Sequence, residues 1–287
     1  MKILVTGAKG QLGTEIRNIA DNYEGCEFVF TDVEELDITD GTAVRAAINA
    51  NAIDLVINCA AYTAVDRAED DENRARVLNG EAPVLLAKAV AERGGEIIHI
   101  STDYVFGGQG STPYSEDMPT GPQSVYGLTK LNGEKGVIAA NPHHVIVRTA
   151  WLYSPYGNNF VKTMLRLGRE RDRLGVVYDQ IGSPTYAADL AKAILKIATA
   201  KDKVYGIFHY SNEGAVSWYD FTKAIHRLAG ITDCEVQPIL SKEYPTPAKR
   251  PAYSVFNKAK IKRVYGVSVP YWEDSLCECL KRMGEKN

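Results

Sequence analysis

The chain has 287 residues, 45% of them hydrophobic and 24% charged, with a formal net charge of −3. These values describe an ordinary globular protein, long enough for one large domain or a domain with an added lobe, and they exclude wholesale disorder. The near-neutral balance supplies no overall basic field for nucleic acid or an anionic membrane surface.

Met1-Lys-Ile-Leu-Val runs straight into an apolar strand, and no later stretch approaches about 18 consecutive apolar residues, so a cytoplasmic protein without membrane partners is expected. Five cysteines without framework spacing fit a reducing compartment, with Cys26 and Cys59 reading as small core residues. Cys277-Glu-Cys279 is too tightly spaced for a zinc pair and no histidine follows, so it reads as a helix turn and no metal site is expected.

In chain order, Ile3-Leu-Val5 is a short buried strand, and Gly7, Gly10 and Gly13 follow it ahead of the helical run from Gln11 to Ala20. Strand, glycine turn and helix together let a backbone approach a pyrophosphate and seat it on the amides at the helix start, with Lys9 inside the turn. Phe28-Val-Phe30 reads as a second strand, and Asp32 at its end is placed either to accept from an adenosine ribose or to close a surface turn. The spacing is G-x-x-G-x-x-G, which points to short-chain dehydrogenase-like proteins. Leu36 to Thr39 and a helix near 42–51 lead to the strand Leu55–Asn58, which ends in the small residues Cys59-Ala-Ala-Tyr-Thr63. Helical stretches over 65–78 and 82–93 precede the strand Glu96–Ile100, in which His99 reads as a core or sheet-facing residue. This alternation predicts an α/β fold, a doubly wound parallel sheet that binds ligands beyond the carboxyl ends of its strands.

Ser101-Thr-Asp-Tyr-Val-Phe106 carries hydroxyl and carboxylate groups to the same rim as the glycine turn, and 107–123 is a loop rich in Gly, Pro, Ser and Thr. The helix after it holds Tyr126 and Lys130, four residues apart and therefore on one face. Surface helices also produce this pattern, and its weight comes from the segment before it. A tyrosine titrates near pH ~10, and lowering it to ~7 requires favouring the phenolate by roughly 4 kcal/mol, which an adjacent ammonium and a cationic nicotinamide supply. Val145-Ile-Val147 makes a fifth strand with Arg148-Thr-Ala-Trp151 at its end, where Trp151 either stacks on a ligand or caps the core. A smaller substrate-binding lobe is expected from 154–185 and 211–287. The apolar helix Ala187–Ala198 and the strand Ile207–Tyr210 (186–210 overall) return to the body formed by 1–153. Ser217 caps a helix, and Tyr244–Pro251 is a rigid basic loop. There Lys249 and Arg250 either hold a diphosphate or form a solvated turn.

With Gly7-Ala-Lys-Gly-Gln-Leu-Gly13, Ser101-Thr-Asp-Tyr-Val-Phe106, Tyr126-x-x-x-Lys130, Arg148-Thr-Ala-Trp151 and Arg250-Pro251 in that order, the chain resembles the dTDP-4-dehydrorhamnose reductases, extended short-chain dehydrogenases/reductases. The resemblance implies a Rossmann domain with a small non-contiguous lobe and reduction of a sugar 4-ketone to give dTDP-L-rhamnose for surface polysaccharides. It places catalytic roles on Thr102, Tyr126 and Lys130, and substrate contacts on Thr102, Asp103, Trp151 and Arg250, with Gly182 to Thr185 near the base. Dinucleotide contacts fall on Gly7, Lys9, Gly10, Gln11, Leu12, Gly13, Asp32, Asp37, Ile38, Ala61, Tyr62, Thr63, Tyr126 and Lys130. NADPH is the expected cofactor, with NADH also accepted. Some members are described as dimers holding magnesium between carboxylates. The matching positions here are Glu15, Asp189 and Arg282, and an arginine cannot ligate magnesium as a carboxylate does, so the metal is doubtful and a monomer or weak homodimer is expected. Two competing readings are an epimerase or dehydratase of the same fold and a non-catalytic regulatory subunit. No glutamate follows Asp103 to complete a dehydratase acid/base pair, and a pure binding module has no need of Thr102, Tyr126 and Lys130 together.

Overall fold

In the computed structural model, which describes residues 1–285, the first strand already shows how the fold is layered. β1 (Lys2–Thr6) sends Ile3 and Val5 to one side and Leu4 to the other, and all three are buried. A strand with apolar residues on both faces needs helices on both faces. After it come α1 (Gln11–Ile19), β2 (Glu27–Thr31), α2 (Gly41–Ala50) and β3 (Leu55–Asn58), with Asp40 capping α2 through the amides of Thr42 and Ala43. The stretch 65–78 is not the continuous helix expected from its composition. It divides into α3 (Val65–Ala68), α4 (Glu72–Ala75) and a π-helical turn (Arg76–Glu81). The wider turn brings Asn79 and Gly80 inward, where both are buried. Then follow α5 (Ala82–Ala91), β4 (Glu96–Thr102), α6 (Val125–Ala140) and β5 (His144–Thr149).

Beyond β5 the elements shorten. They are β6 (Leu152–Tyr153), α7 (Phe160–Glu170), β7 (Arg173–Val177), β8 (Ile181–Gly182), β9 (Thr185–Tyr186), α8 (Ala187–Ala198), β10 (Gly206–His209), β11 (Val216–Ser217), α9 (Trp218–Leu228), β12 (Glu235–Ile239), α10 (Ala259–Tyr265) and α11 (Trp272–Arg282). A reciprocal capping box starts α9, with Ser217 and Asp220 each accepting from the other's backbone N–H.

Six parallel strands form the central sheet in the order β10-β5-β4-β3-β1-β2. The direction of winding reverses between β1 and β3, and in such sheets ligands sit at that reversal. Leu12 and Ile16 of α1, Leu190 and Ile194 of α8, and Ile261 and Tyr265 of α10 cover one face. Val44 and Ile48 of α2, Leu86 and Val90 of α5, and Val137 of α6 cover the other. A large aliphatic side chain buried this way contributes about 1.5–3 kcal/mol, so the sheet is the stiff part of the molecule. A separate cluster joins Val161 and Leu165 of α7, Val176 of β7, Phe221 and Ile225 of α9, Val236 of β12, and Leu276 and Leu280 of α11. Ile261, Tyr265 and Val267, which fall in the stretch expected to build the lobe, pack instead against the sheet. Cys26 and Cys59 lie half-buried at the edge of the sheet cluster and Cys279 is buried in the second cluster. Among the described residues no helix is long and apolar enough to cross a membrane.

Candidate active site

The rim at the carboxyl ends of the strands begins with the glycine turn. Gly7 has φ +64, and a Cβ there would stand 2.7 Å from the amide nitrogen of Ala60. A Cβ on Gly13 would stand 2.4 Å from the Gly7 carbonyl oxygen, so α1 can approach the end of β1 this closely only because residue 13 is glycine. Gly10 precedes α1 and no side chain caps the helix start. The first-turn N–H groups of a helix lack acceptors within it. The turn therefore fits a dinucleotide pyrophosphate, held by the backbone of Gly10 to Gly13. Leu12 contributes only backbone, because its side chain is in the core. The Gln11 side chain is turned away and accepts from Ser154 (3.2 Å) and Asn159 (3.0 Å).

Asp32 ends β2 with both carboxylate oxygens on backbone amides, those of Lys9 (3.0 Å) and Val33 (2.9 Å). Lys9 pairs with Glu34 and, at 3.2 Å, with Glu35, and those two carboxylates hold its ammonium above the ordinary lysine value. Asp37 accepts from the Thr39 amide (2.9 Å) and hydroxyl (2.7 Å), which hold its carboxyl below the usual range, and Ile38 is buried. On the next strand end, Asn79 clamps the Tyr62 backbone from both sides, accepting from its N–H at 2.8 Å and donating to its C=O at 3.0 Å. This fixes Ala61 to Thr63 between the glycine turn and α6. Composition gave no sign of the clamp, since only the π-helical turn brings Asn79 inward.

The third rim segment carries the groups with reactive hydrogens. Thr102 ends β4, donates to Asp103 (3.0 Å) and accepts from the Tyr104 amide (3.3 Å). Ser124 caps α6 by accepting from Gly127 (3.2 Å), and Glu69 accepts from Val125 (3.0 Å). A Cβ on Gly127 would lie 2.3 Å from the Tyr104 carbonyl, so a glycine lets the helix start close against the strand end. Tyr126 then comes beside Thr102, its ring edge-on to that of Tyr104, whose amide donates to the Thr102 hydroxyl. Burial pushes the Tyr126 hydroxyl up to about 12, with the nearby Thr102 hydroxyl opposing the rise and the Asp103 charge adding to it. This is opposite to the lowering expected from the adjacent ammonium. Lys130 is buried with its ammonium donating to the Ile100 carbonyl at 2.6 Å, directed at the strand backbone, and burial brings it down to about 8. Asp103 is also buried, which raises its carboxyl to about 6 although Oδ1 accepts from Thr102; Oδ2 has no hydrogen-bond partner among the described residues. His99 is fully buried beside Asn58 and held neutral by burial.

Across the rim, Trp151 has φ +49 and stacks on Trp218 with centroids 3.4 Å apart and planes at 5°, while Gly182 lies against its indole. One indole face is thus packed within the protein. Ser183 and Thr185 are buried, and Ser183 donates to the Gly214 carbonyl. Arg250 forms a bidentate pair with Asp66 of α3, at 2.9 and 2.6 Å, and Lys249 donates to Gln123 at 3.4 Å. Asp66 was not singled out in the sequence, where it lies in an ordinary charged run 184 residues from its partner. The other three charges of interest are satisfied within the chain. Glu15 takes a bidentate bond from Arg282 (2.9 and 3.0 Å), and Asp189 accepts from Asn212 (2.9 Å) and Ser275 (2.6 Å).

The sequence model of the RmlD substrate binding domain family matches residues 1–285. A dTDP-4-dehydrorhamnose reductase from Sinorhizobium fredii is 42% identical over 283 residues, covering 96% of this chain and 95% of the relative. The chain belongs to the dTDP-4-dehydrorhamnose reductase family. Solved structures of that family superpose closely on it. A dTDP-4-dehydrorhamnose reductase of Clostridium acetobutylicum gives a TM-score of 0.95 at 47% identity, covering 99% of this chain and 100% of the other. One from Bacillus anthracis, in complex with NADP, gives 0.92 at 39% identity, covering 98% and 99%. In this chain the glycine turn leaves the amides at the start of α1 without a side-chain cap, an arrangement able to receive a pyrophosphate.

Proposed function

We propose that the chain reduces the 4-keto group of dTDP-4-dehydro-L-rhamnose to give dTDP-L-rhamnose, with Tyr126 as the proton donor. The observation that carries this reading is the placing of Tyr126 beside Thr102 at the end of β4, with Lys130 one helical turn behind. A reduced nicotinamide dinucleotide, its pyrophosphate held by the glycine turn, would supply the hydride. Tyr126, kept protonated by burial, gives its proton to the ketone oxygen as the alkoxide develops, and Thr102 orients that oxygen. Lys130 holds the nicotinamide ribose and favours the phenolate left behind. Gly7, Lys9, Gly10 to Gly13, Asp32, Asp37, Ile38 and Ala61 to Thr63 line the dinucleotide, used as NADPH with NADH also accepted. Asp103, Trp151 and Arg250 face the sugar nucleotide, with Gly182 to Thr185 near its base. The sheet body (1–153 with 186–210) binds the dinucleotide and the remaining segments bind the sugar nucleotide. The setting is the cytoplasm, where such activated sugars are made, and the pairing of Glu15 with Arg282 favours a monomer or weak homodimer that needs no magnesium.

Purified protein offered reduced cofactor and a panel of 4-keto deoxysugar nucleotides should consume the nicotinamide absorbance with the dTDP-linked member. Absence of turnover with every member overturns the reading.

A further inference from the structure

Tyr126 and Lys130 share their helical face with a third polar residue, Glu134, another four positions along. Glu134 is buried on α6 and is held by Arg148, also buried, through Nε to Oε1 at 2.9 Å and Nη2 to Oε2 at 2.7 Å. Arg148 lies on β5 opposite Ser101 and one register step before the Thr149–Thr102 pairing, so the bond ties α6 to the sheet immediately beside the reacting end. The guanidinium is enclosed on its other sides. It lies over the Phe106 ring at 5.1 Å and meets His209 Nε2 at 3.4 Å. His209 Nδ1 faces the Tyr114 carbonyl at 3.0 Å and therefore carries the proton, which leaves Nε2 as the acceptor, and burial with the Arg148 charge brings this imidazole down to about 3.

A buried ion pair is a poor way to stabilise a fold, because well-packed apolar residues of the same volume often do as well or better. Its position behind Lys130 supplies a different reason for it. We propose that Glu134, fixed by Arg148, is a positioning residue for the reduction: it sets the seat of α6 that brings Tyr126 to Thr102, and it supplies the counter-charge that stabilises the Lys130 ammonium. The inference rests on the assignment of Tyr126 and Lys130 to the chemistry. The groups that bear on Lys130 are Cys59 at the end of β3, His99 and the Ile100 carbonyl on β4, Glu134 on its own helix, and Arg148 of β5 behind Glu134. Burial keeps Cys59 a thiol, pushed up to about 12, and keeps His99 neutral. Glu134 is thus the carboxylate that opposes the desolvation of Lys130, whose ammonium sits at about 8.

The sign follows. Without Glu134 the ammonium loses its proton at lower pH, and activity that needs it is lost earlier as pH rises. In Glu134→Gln the unpaired Arg148 charge adds repulsion, so the basic limb of the kcat/KM profile should fall by about one pH unit. In the double variant E134Q/R148M the repulsion is removed as well, and the limb should lie between those of the parent and the single variant. The sugar-nucleotide KM should stay within about threefold of the parent, an order-of-magnitude bound. Where turnover is too slow, the ammonium 15N titration of Lys130, assigned with Lys130→Met, reads the same order of proton affinities without catalysis. A merely structural role predicts reduced kcat with the basic limb unmoved, and that result, or coincident limbs in the two variants, would overturn the proposal. Tyr126→Phe run alongside separates the two failures: if it is as active as the parent, the assignment of the acid is wrong, whereas if it is inactive while Glu134→Gln leaves the limb in place, only the role of Glu134 falls.

Discussion

Two arginine–carboxylate pairs of the same bidentate geometry face the rim of this molecule. Arg148 and Glu134 meet at 2.9 and 2.7 Å with side chains only 3% and 1% exposed, and Arg250 and Asp66 meet at 2.9 and 2.6 Å with 25% and 40% exposed. Their chemistry is alike, and their surroundings make them different devices. The first lies on regular elements between α6 and β5 and cannot be opened without leaving a charge in the core. The second joins α3 to an irregular loop, and water can replace either partner. On the function proposed above, the difference would separate a fixed catalytic face, built from Thr102, Tyr126 and Lys130, from a recognition face whose arginine would exchange carboxylate for diphosphate.

The comparison breaks most severely at Tyr126. Tyr126→Phe should retain dinucleotide binding and lose roughly 10²- to 10⁴-fold in turnover, the usual share of a positioned acid. Stopped or steady-state rates with the sugar ketone measure it, and a mutant equal to the parent would remove the fixed face from the chemistry altogether. Next is stability. Arg148→Met leaves Glu134 buried without its partner and should cost about 3–5 kcal/mol in urea unfolding. Arg250→Met at the exposed pair should cost no more than about 1 kcal/mol. Similar losses at both sites would show that burial does not distinguish them. A smaller effect is expected in kinetics at the recognition face, where Arg250→Ala should raise the sugar-nucleotide KM well beyond any change in cofactor affinity. If the dinucleotide Kd collapses while that KM is unmoved, the arginine serves the other ligand.

The same division describes what could be seen in the sequence. Strands β1, β3, β4 and β5 stand out as apolar runs because parallel strands covered on both faces have no polar side. The bounds of α8 and the Ser217 cap of α9 follow from local chemistry, and so does the strand-turn-helix around Gly7. Long-range choices were not legible. The parallel pairing of β12 with β7 depends on tertiary placement, as does the docking of α10 on the sheet, and no local periodicity announces either. The π-helical turn that aims Asn79 at Tyr62 reads as plain helix in composition. Glu134 was within reach of the helical spacing, four residues beyond Lys130, but its meaning depends on Arg148, which arrives from another strand. The Tyr126 hydroxyl was expected to be lowered by its neighbour. In the fold, the Lys130 ammonium is directed at the Ile100 carbonyl and burial dominates, so the hydroxyl is raised instead.

The smallest effect is expected at the adenosine end, where charges are exposed. On the proposed reading, Asp32 would accept from a ribose hydroxyl and repel a 2′-phosphate, while Lys9 in the glycine turn would attract one. The structure adds that the Lys9 ammonium is shared by Glu34 and Glu35 and stays half exposed, so its attraction for a phosphate is reduced without being removed. Exposed pairs of this kind exchange partners at little cost, and opposing contributions of similar size nearly cancel. Discrimination between NADPH and NADH should therefore stay below about tenfold, with NADPH slightly ahead. Lys9→Ala should move the preference toward NADH and Asp32→Ala toward NADPH. Glu34→Gln, which frees Lys9 from a competitor, should also move it toward NADPH, and by less than Asp32→Ala because Glu35 remains beside the ammonium at 3.2 Å. Ratios of kcat/KM for the two cofactors, measured on the parent and the three variants at one ionic strength, decide the matter. Should all four ratios coincide, these charges do not read the 2′ position, and the recognition of that group lies elsewhere on the rim.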